Sequence, residues 1–174
     1  MASADLAQSF LAHARTKLAE HRAQIARCVA LLSTSELWHR TNEHTNSVGN
    51  LLLHLTGNVR QWILGGLGGQ PVARDRPAEF AERGPVPAAP LLGALQETVA
   101  QACEILAQLD APALAARRNI QGYDVSGLIA ACHVLEHFAF HTGQIVHMTK
   151  VLKNVDVSLY DVQGHKHPGR GVAP

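Results

Sequence analysis

The sequence predicts an all-α bundle. Four segments repeat their apolar residues at three- and four-residue steps, the period of a helix buried on one face, and no segment alternates convincingly as a strand would. The last of the four carries His133, His137 and His141 at four-residue intervals inside an apolar run, which marks where the function is built.

The chain has 174 residues, enough for one domain with a real core. Its 47% hydrophobic and 17% charged residues belong to a folded globular protein. A net charge of +1 without any basic block gives nucleic acid no electrostatic footprint. The N-terminal stretch carries charges throughout and lacks the apolar centre of a signal peptide. No apolar run approaches the roughly 20 residues that cross a bilayer. The expectation is a cytoplasmic protein with neither membrane nor nucleic acid as partner. Cys28, Cys103 and Cys132 lie in apolar helical patterns with no C-x-x-C spacing, and are read as reduced core residues.

The first helix is expected from about Ala4 to Leu32, with Leu6, Phe10, Ala14, Leu18, Ile25, Val29 and Leu32 on its buried stripe. His13 and His21 in this helix read as exposed or partly packed. Ser33-Thr-Ser-Glu36 has capping character, and Leu37 and Trp38 form a short apolar anchor. Asn46 or Ser47 caps a second helix from about Val48 to Leu64, which buries Val48, Leu51, Leu52, Leu55, Val59, Trp62 and Ile63. His54 lies at the edge of that stripe, and Asn58 one turn further on.

Residues 65–90 are rich in Gly and Pro and read as a long irregular crossover, with Asp75, Arg76 and Arg83 solvated. The third helix runs from about Leu91 to Leu109. Residues 110–123 form a second connection, partly helical around Ala113–Ala116, with Arg117 and Arg118 as a solvated pair. The fourth helix runs from about Val125 to Lys153, capped by Ser126 or Asp124. Gly143 inside it lowers the local propensity, so continuation needs tertiary support. The domain is placed at residues 1–160. Residues 161–174 are expected to be a flexible tail, in which His165 and His167 are not ligands; Tyr160 is expected to pack back on the bundle.

A helix turns roughly 100° per residue, so His137 and His141 lie about 40° apart, one turn above the other. They share an arc with Val134, Phe138, Ile145 and Leu152 and therefore face the core, while Glu136, Gly143, His147 and Lys150 face away. A buried imidazole needs a partner, and a metal is one. A single histidine such as His54 is ordinarily a hydrogen-bonded structural residue; an inward pair that needs a third ligand makes it the candidate. Three imidazoles suit zinc or nickel, with iron or manganese also compatible, and leave a coordination position open for chemistry. His133 is placed to orient a ligand or hold a water, or simply to pack. Gln144 is placed to hydrogen-bond a metal-bound group. No carboxylate is clearly placed for proton transfer, which weakens a simple hydrolase reading.

Two stretches carry a family resemblance. Ser47-Val-Gly-Asn-Leu-Leu-Leu-His54-Leu-Thr-Gly-Asn58 followed by Val-Arg-Gln-Trp62 resembles the second-helix motif of the DinB/YfiT-like superfamily. His133-Val-Leu-Glu-His137-Phe-Ala-Phe-His141-Thr-Gly-Gln144-Ile resembles its last-helix motif, and Arg74-Asp-Arg-Pro-Ala-Glu-Phe80 resembles a loop of one uncharacterised branch. The similarity covers roughly residues 5–160. It implies a four-helix bundle of up-down-down-up topology, usually a homodimer, with His54, His137 and His141 as metal ligands and nickel or zinc as occupant. It also implies a small-molecule substrate. Some relatives activate a low-molecular-weight thiol for S-transfer, which makes that the expected activity. A metal-dependent hydrolase using metal-bound water and a non-catalytic, stress-related metal-binding bundle are the alternatives.

Overall fold

The computed structural model describes residues 2–157 together with 161 and 163. Tyr160, His165, His167 and nearly all of the expected tail lie outside the described residues. Four long helices form the bundle: α1 (Ala2–Val29), α3 (Val48–Val59), α5 (Ala88–Gln108) and α7 (Gly127–Lys153). Helix α1 packs on α5 and α7, and α3 packs on the same two from the other side. No helix among the described residues is long and apolar enough to cross a membrane.

The α1 stripe starts one residue later than expected. Ala7, Leu11, Ala14, Leu18, Ile25 and Val29 are buried, whereas Leu6 is 73% exposed. A shift of one position rotates a side chain by roughly 100° and takes it off the contact. The short helix α2 (Thr34–Leu37) has the capping box expected from sequence: Glu36 N donates to Ser33 Oγ, and Ser33 N donates to Glu36 Oε2 at 2.8 Å. Lys153 Nζ donates to Glu36 Oε1 at 3.0 Å, tying the end of α7 to α2.

Helix α3 begins at Ser47, whose Oγ accepts from Asn50 N at 3.1 Å. Every residue of its expected stripe is buried. Past Val59 the helix widens into a π-helix over Arg60–Leu67, a form that is rare and recurs at functional sites. Each residue of a wider turn advances by less than the α-helical angle, and this keeps Trp62 on the same side as His54 and Asn58.

The stretch expected to be irregular contains a further helix, α4 (Arg76–Ala81). Asp75 is not merely solvated. Its Oδ1 accepts from Ala78 N at 3.0 Å, with Pro77 in the first turn, an arrangement that starts helices. Asn50, fully buried on α3, clamps α4 by donating from Nδ2 to the carbonyls of Glu79 at 3.0 Å and Glu82 at 2.9 Å.

The second connection holds α6 (Ala111–Ala115), capped by Asp110, and then a two-stranded antiparallel hairpin that the sequence reading did not anticipate. Strand β1 (Arg117–Ile120) pairs with β2 (Tyr123–Ser126) around Gln121 and Gly122, whose φ values are 56° and 83°. Two consecutive positive φ values are the mark of a type I′ hairpin turn. Arg117 pairs with Asp124 across the strands, and Arg118 donates to the carbonyls of Ala113 and Ala116. Ile120 is buried against Gly66, where any Cβ would collide with it, so the hairpin docks on the π-helix. Ser126 then caps α7 through Ile129 N, and α7 continues through Gly143, which faces solvent.

Candidate metal centre

Helices α3 and α7 bring His54, His137 and His141 together. One nitrogen from each ring can be chosen so that all three lie within 4.8 Å of one another, close enough to hold a metal ion. His54 is 4% exposed, not at the edge of its stripe as expected but inside it. Its Nε2 faces His137 Nε2 at 2.8 Å. The His141 ring stands nearly perpendicular to both others.

Neighbours fix which nitrogens carry lone pairs. His54 Nδ1 lies 2.8 Å from Glu79 Oε2. An ionised carboxylate only accepts, so Nδ1 carries the hydrogen and Nε2 keeps its lone pair. His141 Nδ1 likewise donates to Gln144 Oε1 at 2.7 Å, which leaves its Nε2 bare. The donor set therefore fits a divalent cation: His54 and His141 have outer partners that hold tautomer and orientation, and His137 turns its Nε2 toward His54.

Electrostatics favours the neutral form of His137 and His141. Burial lowers the His137 imidazole to about 3, and His141, His54, His133 and the Arg74 guanidinium push in the same direction. Burial also lowers His141, with His54 adding to it, against the opposing hydrogen bond to Gln144. A neutral imidazole is the form that ligates metal.

Glu79 and Arg74 are the residues that sequence reasoning missed. Arg74 Nε donates to Glu79 Oε1 at 2.7 Å, Nη2 donates to Oε2 at 2.9 Å, and Nη1 donates to Gln61 Oε1 at 2.7 Å. Glu79 is 9% exposed. Burial alone would raise its carboxyl, but the hydrogen bonds and charges of Arg74 and His54 hold it below its usual value. Gly57 makes the arrangement possible, because a Cβ there would overlap the Glu79 carboxylate. A carboxylate is thus present beside the centre, but both its oxygens are already engaged.

The centre opens onto a cavity of about 620 Å³ whose lining includes His54, Asn58, Trp62, His133 and His137. Asn58 Nδ2 lies 3.4 Å from His133 Nε2, and its buried Oδ1 has no partner. Burial lowers the His133 pKa, partly offset by Glu136. Gln144 does not line this cavity. It lies on the other side of His141, which it orients, so it is not placed to reach a group in the cavity as expected. Glu136 is exposed, as its arc required.

The sequence matches the profile of a family described as "Protein of unknown function (DUF1572)" over residues 5–164. Among curated proteins, none matches. Two solved structures share the fold. A conserved protein from Enterococcus faecalis is 15% identical with a TM-score of 0.71, over 83% of this chain and 97% of that one. A DinB-like protein from Bacillus cereus is 16% identical with a TM-score of 0.60, over 79% of this chain and 88% of that one.

Proposed function

Given that the chain belongs to the DUF1572 family and has the fold of DinB-like structures, we propose that it is a metal-dependent enzyme in which His54, His137 and His141 hold one zinc or nickel ion and a small thiol is activated for S-transfer. The observation that carries this reading is the convergence of three imidazoles, of which His54 and His137 line an open cavity. When bound, the cation supplies Lewis-acid activation of a thiol or a water.

The chain's own groups do the positioning. Glu79 and Gln144 lock the His54 and His141 tautomers. Arg74 holds Glu79 ionised and occupies both its oxygens. No carboxylate lines the cavity among the described residues. A water nucleophile could use the His133 imidazole on the cavity wall as its general base, whereas a thiol is acidic enough to be activated by the metal alone. Hydrolysis is therefore the alternative reading.

Elemental analysis of protein purified without an affinity tag tests the metal centre: about one zinc or nickel per chain is expected, and the His137→Ala variant should carry none. Turnover of monochlorobimane with a small thiol, above the level of that variant, tests the chemistry. Protein that binds neither metal overturns the whole reading. Ester cleavage without added thiol would replace transfer by hydrolysis.

A further inference from the structure

The cavity has two chemically different walls. One is aromatic: the rings of Trp62 and His133 lie 4.1 Å apart at 36°, and Tyr123 stacks beyond Trp62 at 6.4 Å and 29°. His133 in turn stacks on His137 at 5.6 Å and 20°. These rings form a continuous ladder from the hairpin to the metal centre. The ladder is held from outside, since Trp62 Nε1 donates to Gln121 Oε1 at 3.2 Å. Tyr123 is nevertheless 62% exposed, so its ring contributes surface to the mouth and little to the core.

The other wall is cationic. Arg76 has no hydrogen-bond or ion-pair partner among the described residues, although its guanidinium is held 5.0 Å above the Phe80 ring. Phe80 packs against His54 at 4.7 Å, which ties the position of this cation to that of the metal centre. No carboxylate among the lining residues neutralises it. An unpaired guanidinium facing an aromatic ladder is suited to a ligand that is flat at one end and anionic at the other.

We propose that this cavity binds an aromatic or conjugated carboxylic acid, its carboxylate on Arg76 and its flat portion against Trp62, Tyr123 and His133. This rests on the metal-centre reading for its consequence, namely that a conjugated (α,β-unsaturated) acid so bound is the electrophile: the thiol sulfur bonds to its β-carbon, the C=C π bond breaks, and the thiol proton ends on the α-carbon. The binding itself needs no metal.

Cinnamate is the probe, titrated by calorimetry into metal-free full-length protein so that no cation competes for its carboxylate. Saturable binding is expected. Arg76→Gln should weaken it about tenfold or more, as expected for loss of a charged hydrogen bond. Tyr123→Ala should weaken it about two- to tenfold. Both side chains are exposed, so neither variant threatens the fold. Cinnamamide should bind as weakly to the wild type as cinnamate does to Arg76→Gln, and should be indifferent to that substitution. The saturated 3-cyclohexylpropanoate should keep its dependence on Arg76 and lose its dependence on Tyr123. Absence of saturation at about 10 mM cinnamate, or equal affinity of wild type and Arg76→Gln, overturns the proposal. If metal is still bound in that case, the metal centre stands without this subsite. Arg76-dependent binding by a protein that takes up no metal would give the reverse.

Discussion

Glu79 Oε2 accepts the Nδ1 hydrogen of His54 at 2.8 Å across 25 residues of chain. On the proposed metal reading, the carboxylate would make His54 a better ligand by fixing its tautomer and adding electron density to the ring. Glu79→Gln keeps the shape and removes the charge. Metal affinity should fall about tenfold, and Glu79→Ala should cost up to about a hundredfold. Competition titration against a chromophoric chelator measures both. Unchanged affinity in Glu79→Ala would show that the carboxylate serves only the fold.

Gly57 tests the same pair from the opposite side. A methyl group there must displace a carboxylate pinned by Arg74 and His54. Gly57→Ala should lower stability by about 1–3 kcal/mol, as overpacking does. It should weaken metal binding as well. Urea unfolding and the chelator assay report the two effects separately.

Acidification acts through His137. In the folded protein its pKa is lowered to about 3, while in the unfolded chain it is near the ordinary value of roughly 6.5. As pH falls below that value, the unfolded chain takes up a proton that the folded one refuses. The metal-free protein should therefore be fully stabilised by this ring above pH ~6.5. It should lose about 1 kcal/mol per pH unit on descending towards pH ~3. Melting temperature in chelator, followed from neutral to acid pH, gives the slope, and His137→Ala should flatten it.

Because burial holds His137 and His141 below the ordinary imidazole value, metal uptake near pH 6 should release little proton from these two rings. Calorimetry in two buffers of different ionisation enthalpy measures this. The expected difference between buffers is small, whereas release of about one proton per histidine would show that ordinary imidazole values persist.

Zinc or nickel at about a hundredfold excess over its dissociation constant adds ~2.7 kcal/mol to stability. For a chain of this size that is a melting shift of about 5–10 °C. His54→Ala, His137→Ala and His141→Ala should each abolish the shift. A shift of wild-type size in all three variants would put the ion elsewhere.

The bundle was legible because its signals are local and periodic. The buried stripe of α3 and the Ser33, Ser47 and Ser126 caps can be read from spacing alone. The inward direction of His137 and His141 follows from the same counting. Glu79 could not be found that way, because its contact with His54 depends on how a Gly- and Pro-rich stretch folds back. Two signals were nevertheless present: Asp75-Arg-Pro77 as a helix start, and Gly57 in the middle of a helix with no other reason to lack a side chain. The hairpin was hidden by two strands of only four residues each, although Gln121-Gly122 between them is a turn signal. Leu6 was misassigned because a stripe near a helix end has few neighbours to fix its phase.

The docking of that hairpin on the π-helix has an evolutionary corollary. The three clustered histidines sit on two long bundle helices, while part of the rim of the opening is contributed by a ten-residue excursion between helices. A replaced tip at Gln121–Tyr123 alters what the opening admits and leaves the ligands untouched. The histidine cluster and the rim of its opening are thus housed in separable pieces of the chain, so one can change in sequence without the other.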